Sequence, residues 1–267
     1  MNGGIFLALL ARLWRQHWLP LLIVTLGIGV FEFVITQLAP LPGELGFFAG
    51  VAALLPKGLS SLVTDQLSLA SPAGVIALGY LHPFFLSLLS AWVIRIGAGA
   101  LAGEIGRGTM DMVASRPMAR RAIVAAAAIA IASGLAIVLL VAWAITSIGL
   151  GTRPLGVSGV QLWRLPAMAW LLFMAWAGVT LAISASRREA GSVIAWASGL
   201  IATSVVLEFL SRMWQPLAWT RGLSLFAYYR PQDIVRAGIG PWDPLTLGLV
   251  AAIGLATAVA LFQRRDL

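Results

Sequence analysis

This sequence predicts an all-α membrane protein with six transmembrane helices, and three observations carry the prediction. The 267 residues are 60% hydrophobic and only 10% charged, where a soluble domain carries about a quarter charged residues. Mean hydropathy is +0.93, so too little polar surface remains to cover a globule and the bilayer becomes the solvent. The apolar runs continue for roughly twenty residues without polar alternation, which selects helices over a closed barrel. Residues 1–267 read as a single transmembrane domain.

Residues 3–18 repeat apolar side chains at Ile5, Phe6, Leu9, Leu10, Leu13 and Trp14, with Arg12, Arg15 and Gln16 off that stripe. One apolar face flanked by bases predicts an N-terminal amphipathic interfacial helix over residues 1–18. The other reading is the start of a long first span. A secretory leader would place its charge first and a small-residue cleavage site after it, the reverse of this order.

The first span is residues 19–38, with Pro20 in its opening turn and Glu32 inside it. An intramembrane carboxylate is a functional candidate; alternatively Glu32 lies near the outer headgroups or hydrogen-bonds across helices. Residues 39–71 are rich in Pro, Gly and Ser, with Glu44, Lys57 and Asp65 scattered among them. They predict an outer loop carrying short surface helices. The second span, residues 72–99, is broken at His82-Pro83 and has Arg95 near its inner end, where a long side chain snorkels to the interface. His82 has no partner at metal-ligand spacing, and a structural role suits it.

Residues 122–148 form the third span, dominated by Ala, Ile, Val and Leu, and residues 149–163 a short outer loop. The fourth span is 165–185, a tight inner turn Ser186-Arg187-Arg188-Glu189 follows, and the fifth span is 190–209 with Glu208 near its outer end. Residues 210–243 mix Trp214, Trp219, Trp242, Tyr228 and Tyr229 with arginines and prolines. Aromatic and Arg side chains suit the headgroup level, so this stretch predicts short re-entrant outer helices. The last span is 245–262.

Six spans put both termini on one side. Eleven of the 18 Lys and Arg fall on that side, at 12, 15, 95, 107, 116, 120, 121, 187, 188, 264 and 265, mostly in short loops. By the positive-inside rule both termini face the cytoplasm, in an inner or plasma membrane. The net charge of +8 would suggest nucleic acid on a soluble protein. Here the bases cluster beside apolar runs, so membrane lipids are the expected partner and nucleic acid is not. With no Cys and only two His, no metal site or thiol chemistry is expected.

The membrane pattern is interrupted most densely at residues 103–121, GEIGRGTMDMVASRPMARR. Gly106 and Gly108 permit a sharp exit from the second span. Thr109 is a plausible N-cap and Asp111 suits the positive end of a helix dipole. Met110, Met112 and Val113 provide an apolar side, Ser115 can cap the next helix, and Pro117 falls in its first turn. Arg116, Arg120 and Arg121 mark the membrane boundary. A short helix with methionines and mixed charges can dock in a groove of another protein; a basic inner loop that only orients the chain is the other reading.

The pattern G-E-x-x-x-G-T-M-D-M-V-A-S-R-P-M-A-R-R resembles the signature between spans two and three of ABC-2-type transporter permeases. Gly103, Glu104, Gly108, Thr109, Asp111, Ser115, Arg116, Pro117, Arg120 and Arg121 match it, and Met110 stands where Leu is usual. The six spans, the amphipathic start, the long outer segment and the closing Arg-Arg-Asp-Leu are also similar to that family.

This resemblance implies a transmembrane subunit of an ATP-driven transporter, an exporter. Its residues 104–117 would form a coupling helix docked in a separate ATPase subunit. Docking contacts would involve Glu104, Gly108, Thr109, Met110, Asp111, Met112, Ser115, Arg116, Pro117, Arg120 and Arg121, with residues 210–243 closing the exit. Two permease subunits, identical or different, would form the pathway. The sequence contains no G-x-x-x-x-G-K-[S/T] loop, so ATP and Mg belong to the partner, with no cofactor or catalytic residue expected on this chain. The alternatives are a non-ATP secondary transporter, for which Glu32, Arg95 and Glu208 are the intramembrane polar candidates, and a non-transporting regulatory or assembly subunit.

Overall fold

A computed structural model describes residues 3–39, 71–110, 119–152 and 157–265. The helices in order are α1 (Gly3–Leu38), α2 (Pro72–Leu81), α3 (Pro83–Ala98), α4 (Arg120–Gly151), α5 (Arg164–Ser186), α6 (Ala190–Met213), α7 (Pro231–Ala237) and α8 (Trp242–Gln263). A π-helical turn (Gly99–Gly103) and a turn of α-helix (Glu104–Gly106) prolong α3, and 3₁₀ turns (Gly159–Trp163, Gln215–Leu223, Leu225–Tyr228) fill the connections. Among the described residues there is no strand. Six helical stretches are long and apolar enough to cross a bilayer: α1, α2–α3 with its extension, α4, α5, α6 and α8. The chain is a multi-pass, all-α membrane protein.

One sequence expectation changes at the N-terminus, and another, at residue 82, gains a defined geometry. α1 is one unbroken helix of 36 residues containing Pro20, so the boundary expected between residues 18 and 19 has no counterpart in the backbone. The reason is packing. Phe6, Leu9, Leu10 and Leu13 lie against Ala126 and Ala130 of α4, so the apolar stripe of the first turns continues into the bundle. At residue 82 the expected break is present and has a defined cap. His82 adopts an extended backbone with ψ 138°, and its Nδ1 accepts from the Phe84 N–H at 3.2 Å. Pro83 then opens α3, where its missing N–H is harmless. His82 is therefore a cap, and its ring also packs on Phe31 at 4.9 Å between centroids.

α5 is the centre of the bundle. Of the residues in its apolar window 67% are buried, against 28% in α6 and 22% in α8. Its closest neighbour is α8, and small residues set that distance. A methyl at Gly254 would sit 2.5 Å from the Gly178 carbonyl carbon, and one at Gly178 would sit 2.7 Å from the Ala251 oxygen. Apolar burial does not drive helix association inside lipid, so backbone approach through small residues takes that role. Trp92 of α3 is similarly seated on Gly134 of α4, where a methyl would lie 2.2 Å from the indole.

Named polar contacts tie both ends of the bundle. At the end carrying residues 103–110, Arg265 donates to Ala185 O at 2.9 Å and Arg187 O at 2.7 Å, while Arg120 donates to Gln263 O at 3.2 Å and also to Arg265 O. At the opposite end Tyr229 donates to Tyr80 O at 3.1 Å, Ser224 donates to Ser204 O at 2.8 Å, and Arg230 binds Asp243 at 2.9 Å. Burial works against the Arg230 charge, but Asp243 and Asp233 more than compensate and hold its pKa above the usual value.

Candidate functional site

The residues that interrupt the membrane pattern converge on one carboxylate. α3 does not stop at the expected boundary. It continues through the π-helical turn, and Ser184 of α5 accepts from the Ala102 N–H at 3.1 Å. A π turn leaves backbone groups free of the regular ladder, and here one of them is held by a neighbouring helix. The next turn presents Glu104, which is 8% exposed.

Three donors reach Glu104. Arg12 of α1 lies 3.2 and 3.3 Å from its two carboxylate oxygens, Arg107 donates at 2.8 Å, and the Thr109 hydroxyl donates at 2.6 Å. A carboxylate has about four acceptor positions, so the group is nearly saturated. Such charge-assisted bonds are roughly twice as strong as neutral ones, though Arg12 and Arg107 are 44% and 57% exposed at the side chain. The chain then turns at Gly108, whose φ of +67° only glycine adopts without strain. A methyl at Gly106 would lie 2.9 Å from Arg188 O, which places the turn after α5 directly against this segment.

Several sequence expectations resolve here. Glu104 contacts the N-terminal helix through Arg12. The Thr109 hydroxyl donates to Glu104, to its side chain at 2.6 Å and to its backbone oxygen at 3.2 Å, just after the positive φ at Gly108; the helix it was expected to cap lies outside the described residues. Met110 is 2% exposed and belongs to the apolar core, which anchors the segment. Arg120 is engaged with the chain's own C-terminal carbonyls, while Arg121 is exposed. Asp111, Met112, Ser115, Arg116 and Pro117 lie outside the described residues, as do the surface helices expected over residues 39–71 apart from its two ends.

The intramembrane candidates do not form one site. Glu32 is fully buried, and the Thr146 hydroxyl of α4 donates to its Oε2 at 3.3 Å. This is the expected cross-helix bond. Its Oε1 and the nearby Tyr80 hydroxyl have no hydrogen-bond partner among the described residues. Sequence reading missed Tyr80, Thr146 and Tyr229 around it, since nothing in their spacing marks them. Glu208 pairs with Arg212 at 2.6 Å, one turn on along α6, and borders a groove of about 720 Å3 between α3 and α6, walled by Leu86, Ile94, Ile201, Val205 and Phe226. Arg95 is exposed on α3 and lines a separate cavity beside Glu104. Among the described residues no group of three His, Cys, Asp or Glu could hold a metal ion.

No family model matches this chain, and no curated protein matches it.

Proposed function

We propose that this chain is the transmembrane permease subunit of an ATP-driven exporter of the ABC-2 type, with ATP and Mg handled by a separate ATPase subunit. The observation that carries the reading is the Glu104 cluster. The segment whose sequence resembles the family's coupling signature begins at a side chain bound to α1, to its own turn and to Thr109. A force applied beyond Gly108 would therefore reach the first and second spans together, as a rigid-body switch requires. In this reading both termini and residues 103–121 face the cytoplasm of an inner or plasma membrane.

Two further features support it. α6 and α8 leave large apolar side chains uncovered, among them Trp196, Val206, Phe209, Leu249 and Ile253, surface that lipid or a second permease subunit would cover. The groove between α3 and α6 is mostly apolar with Glu208 and Arg212 at one end, suited to an amphiphilic cargo once a second subunit faces it. The stretch Gln215–Leu223 and Leu225–Tyr228 would form the exit closure at that end.

The test is copurification with a candidate ATPase subunit, sought first in the adjacent reading frames, combined with disulfide crosslinking from Met112→Cys to cysteines in that subunit's surface. Crosslinks that change yield with ATP are expected. Subunits that copurify yet never crosslink from position 112 would overturn the docking role. A fully buried carboxylate with one oxygen that has no partner among the described residues, Glu32, is the feature a secondary transporter would use. Uptake or efflux by proteoliposomes lacking any ATPase would favour that second reading.

A further inference from the structure

Beside the Glu104 cluster, between the first turns of α1 and the end of α3, is a cavity of about 250 Å3. Its polar side is made by Arg12, His17, Arg95 and Arg107, and its apolar side includes Leu9 and Leu13. Three guanidiniums thus face one carboxylate. Glu104 is already committed to Arg12, Arg107 and Thr109, and Arg95 has no ion-pair partner among the described residues. His17 Nδ1 is buried without a hydrogen-bond partner among those residues. The site therefore holds an excess of donors and positive charge where the first two spans meet.

We propose that this cavity binds a phosphate-class anion, supplied by the headgroup of an acidic membrane phospholipid. Arg95 and the free N–H groups of Arg12 and Arg107 supply the planar donor forks that match phosphate oxygens. The volume suits the headgroup, being roughly eight times the share of a liquid water, about 30 Å3. A lipid is favoured over a soluble ion by what continues the cavity. From Gln16 at its rim, the same face of α1 carries Leu19, Ile23 and Leu26, each exposed. Residues three to four positions apart share a helix face, so this stripe gives acyl chains a path along the first span. Clustered bases at a membrane boundary select acidic over zwitterionic lipid.

Native mass spectrometry of the full chain in detergent tests this, with phosphatidylglycerol, phosphatidylcholine and inorganic phosphate titrated separately. The expected result is a preference for phosphatidylglycerol over phosphatidylcholine on the order of five-fold, the factor one basic side chain near the surface supplies. Arg95→Gln should bring the two lipids to near parity, Arg95→Lys should recover most of the preference, and Arg15→Gln, on the exposed face outside the cavity, should leave it intact. Equal lipid binding by the unaltered chain overturns the proposal, as does an unchanged preference in Arg95→Gln or equal losses in Arg95→Gln and Arg15→Gln. Inorganic phosphate that binds at Arg95 while phosphatidylglycerol does not would assign the site to a soluble anion and remove the lipid. Unlike the coupling role, this measurement involves no ATPase, so either idea can fail without the other.

Discussion

Replacing Glu104 by Gln should loosen the junction between α1 and residues 103–110 by a calculable amount. The change keeps size and lets the amide oxygen still accept from Thr109, but it removes the charge shared by Arg12 and Arg107. At 3.2 Å the bare Coulomb attraction of one pair is about 5 kcal/mol at an effective dielectric near 20 and about 1.3 kcal/mol in water. Both guanidiniums are close to half exposed, so solvent screening reduces each pair to roughly 0.2–1 kcal/mol. Weakening the Thr109 bond from charge-assisted to neutral removes about another 1 kcal/mol. Glu104→Gln should then cost about 1–3 kcal/mol, and Glu104→Ala somewhat more. The assay is SDS unfolding of the purified chain, run as a double-mutant cycle with Arg12→Gln. Because the two residues share one interaction, Arg12→Gln should cost less in the Glu104→Gln background than alone, with a coupling of about 0.2–1 kcal/mol. Full additivity of the two substitutions would refute the shared junction.

Other perturbations separate packing from backbone effects. Gly254→Ala forces a methyl to 2.5 Å from Gly178 and should destabilise by about 1–3 kcal/mol through overpacking, whereas Gly248→Ala, with open space around it, should not in the same unfolding assay. Gly108→Ala meets no atom within 4 Å but holds a φ of +67°, so it should cost about 1–2 kcal/mol from the left-handed backbone alone; Gly108→Asn should recover part of that loss. Tyr229→Phe removes the buried bond to Tyr80 O and should lower unfolding stability by about 1–2 kcal/mol, with faster proteolysis of residues 214–230 as a local readout.

Why these elements and not others is a matter of solvent. A chain so poor in charge has to satisfy its backbone internally, which leaves long helices as the outcome wherever twenty apolar residues run together. That is why all six spans, the break before Pro83 and the unusual density of residues 103–121 were legible from composition and spacing. The boundaries were less so. α4 extends to Gly151 and α6 to Met213, beyond the expected ends at 148 and 209, since helical hydrogen bonding continues through glycine and polar residues such as Gly149, Ser211 and Arg212 that interrupt the apolar run. The continuity of α1 was not legible either: an amphipathic stripe looks the same whether it faces a membrane surface or, as Phe6 and Leu13 do, the alanines of a neighbouring helix.

The sequence by itself determined the class of protein, the number of spans and the identity of the residues that break the membrane pattern, because hydropathy and turn chemistry act over a few neighbouring positions. Only the tertiary structure decided which charges meet. Arg12 and Glu104 are separated by 92 positions and Glu32 and Thr146 by 114, and no local pattern specifies either encounter. The second follows from how closely α1 approaches α4, which depends on small residues such as Gly149, where a methyl would lie 2.7 Å from Thr36, and Gly29, where one would lie 2.7 Å from Ile145. The segment 103–110 thereby gained a physical anchor: Glu104 is held by α1, Met110 by the core, and Gly108 turns the chain between them.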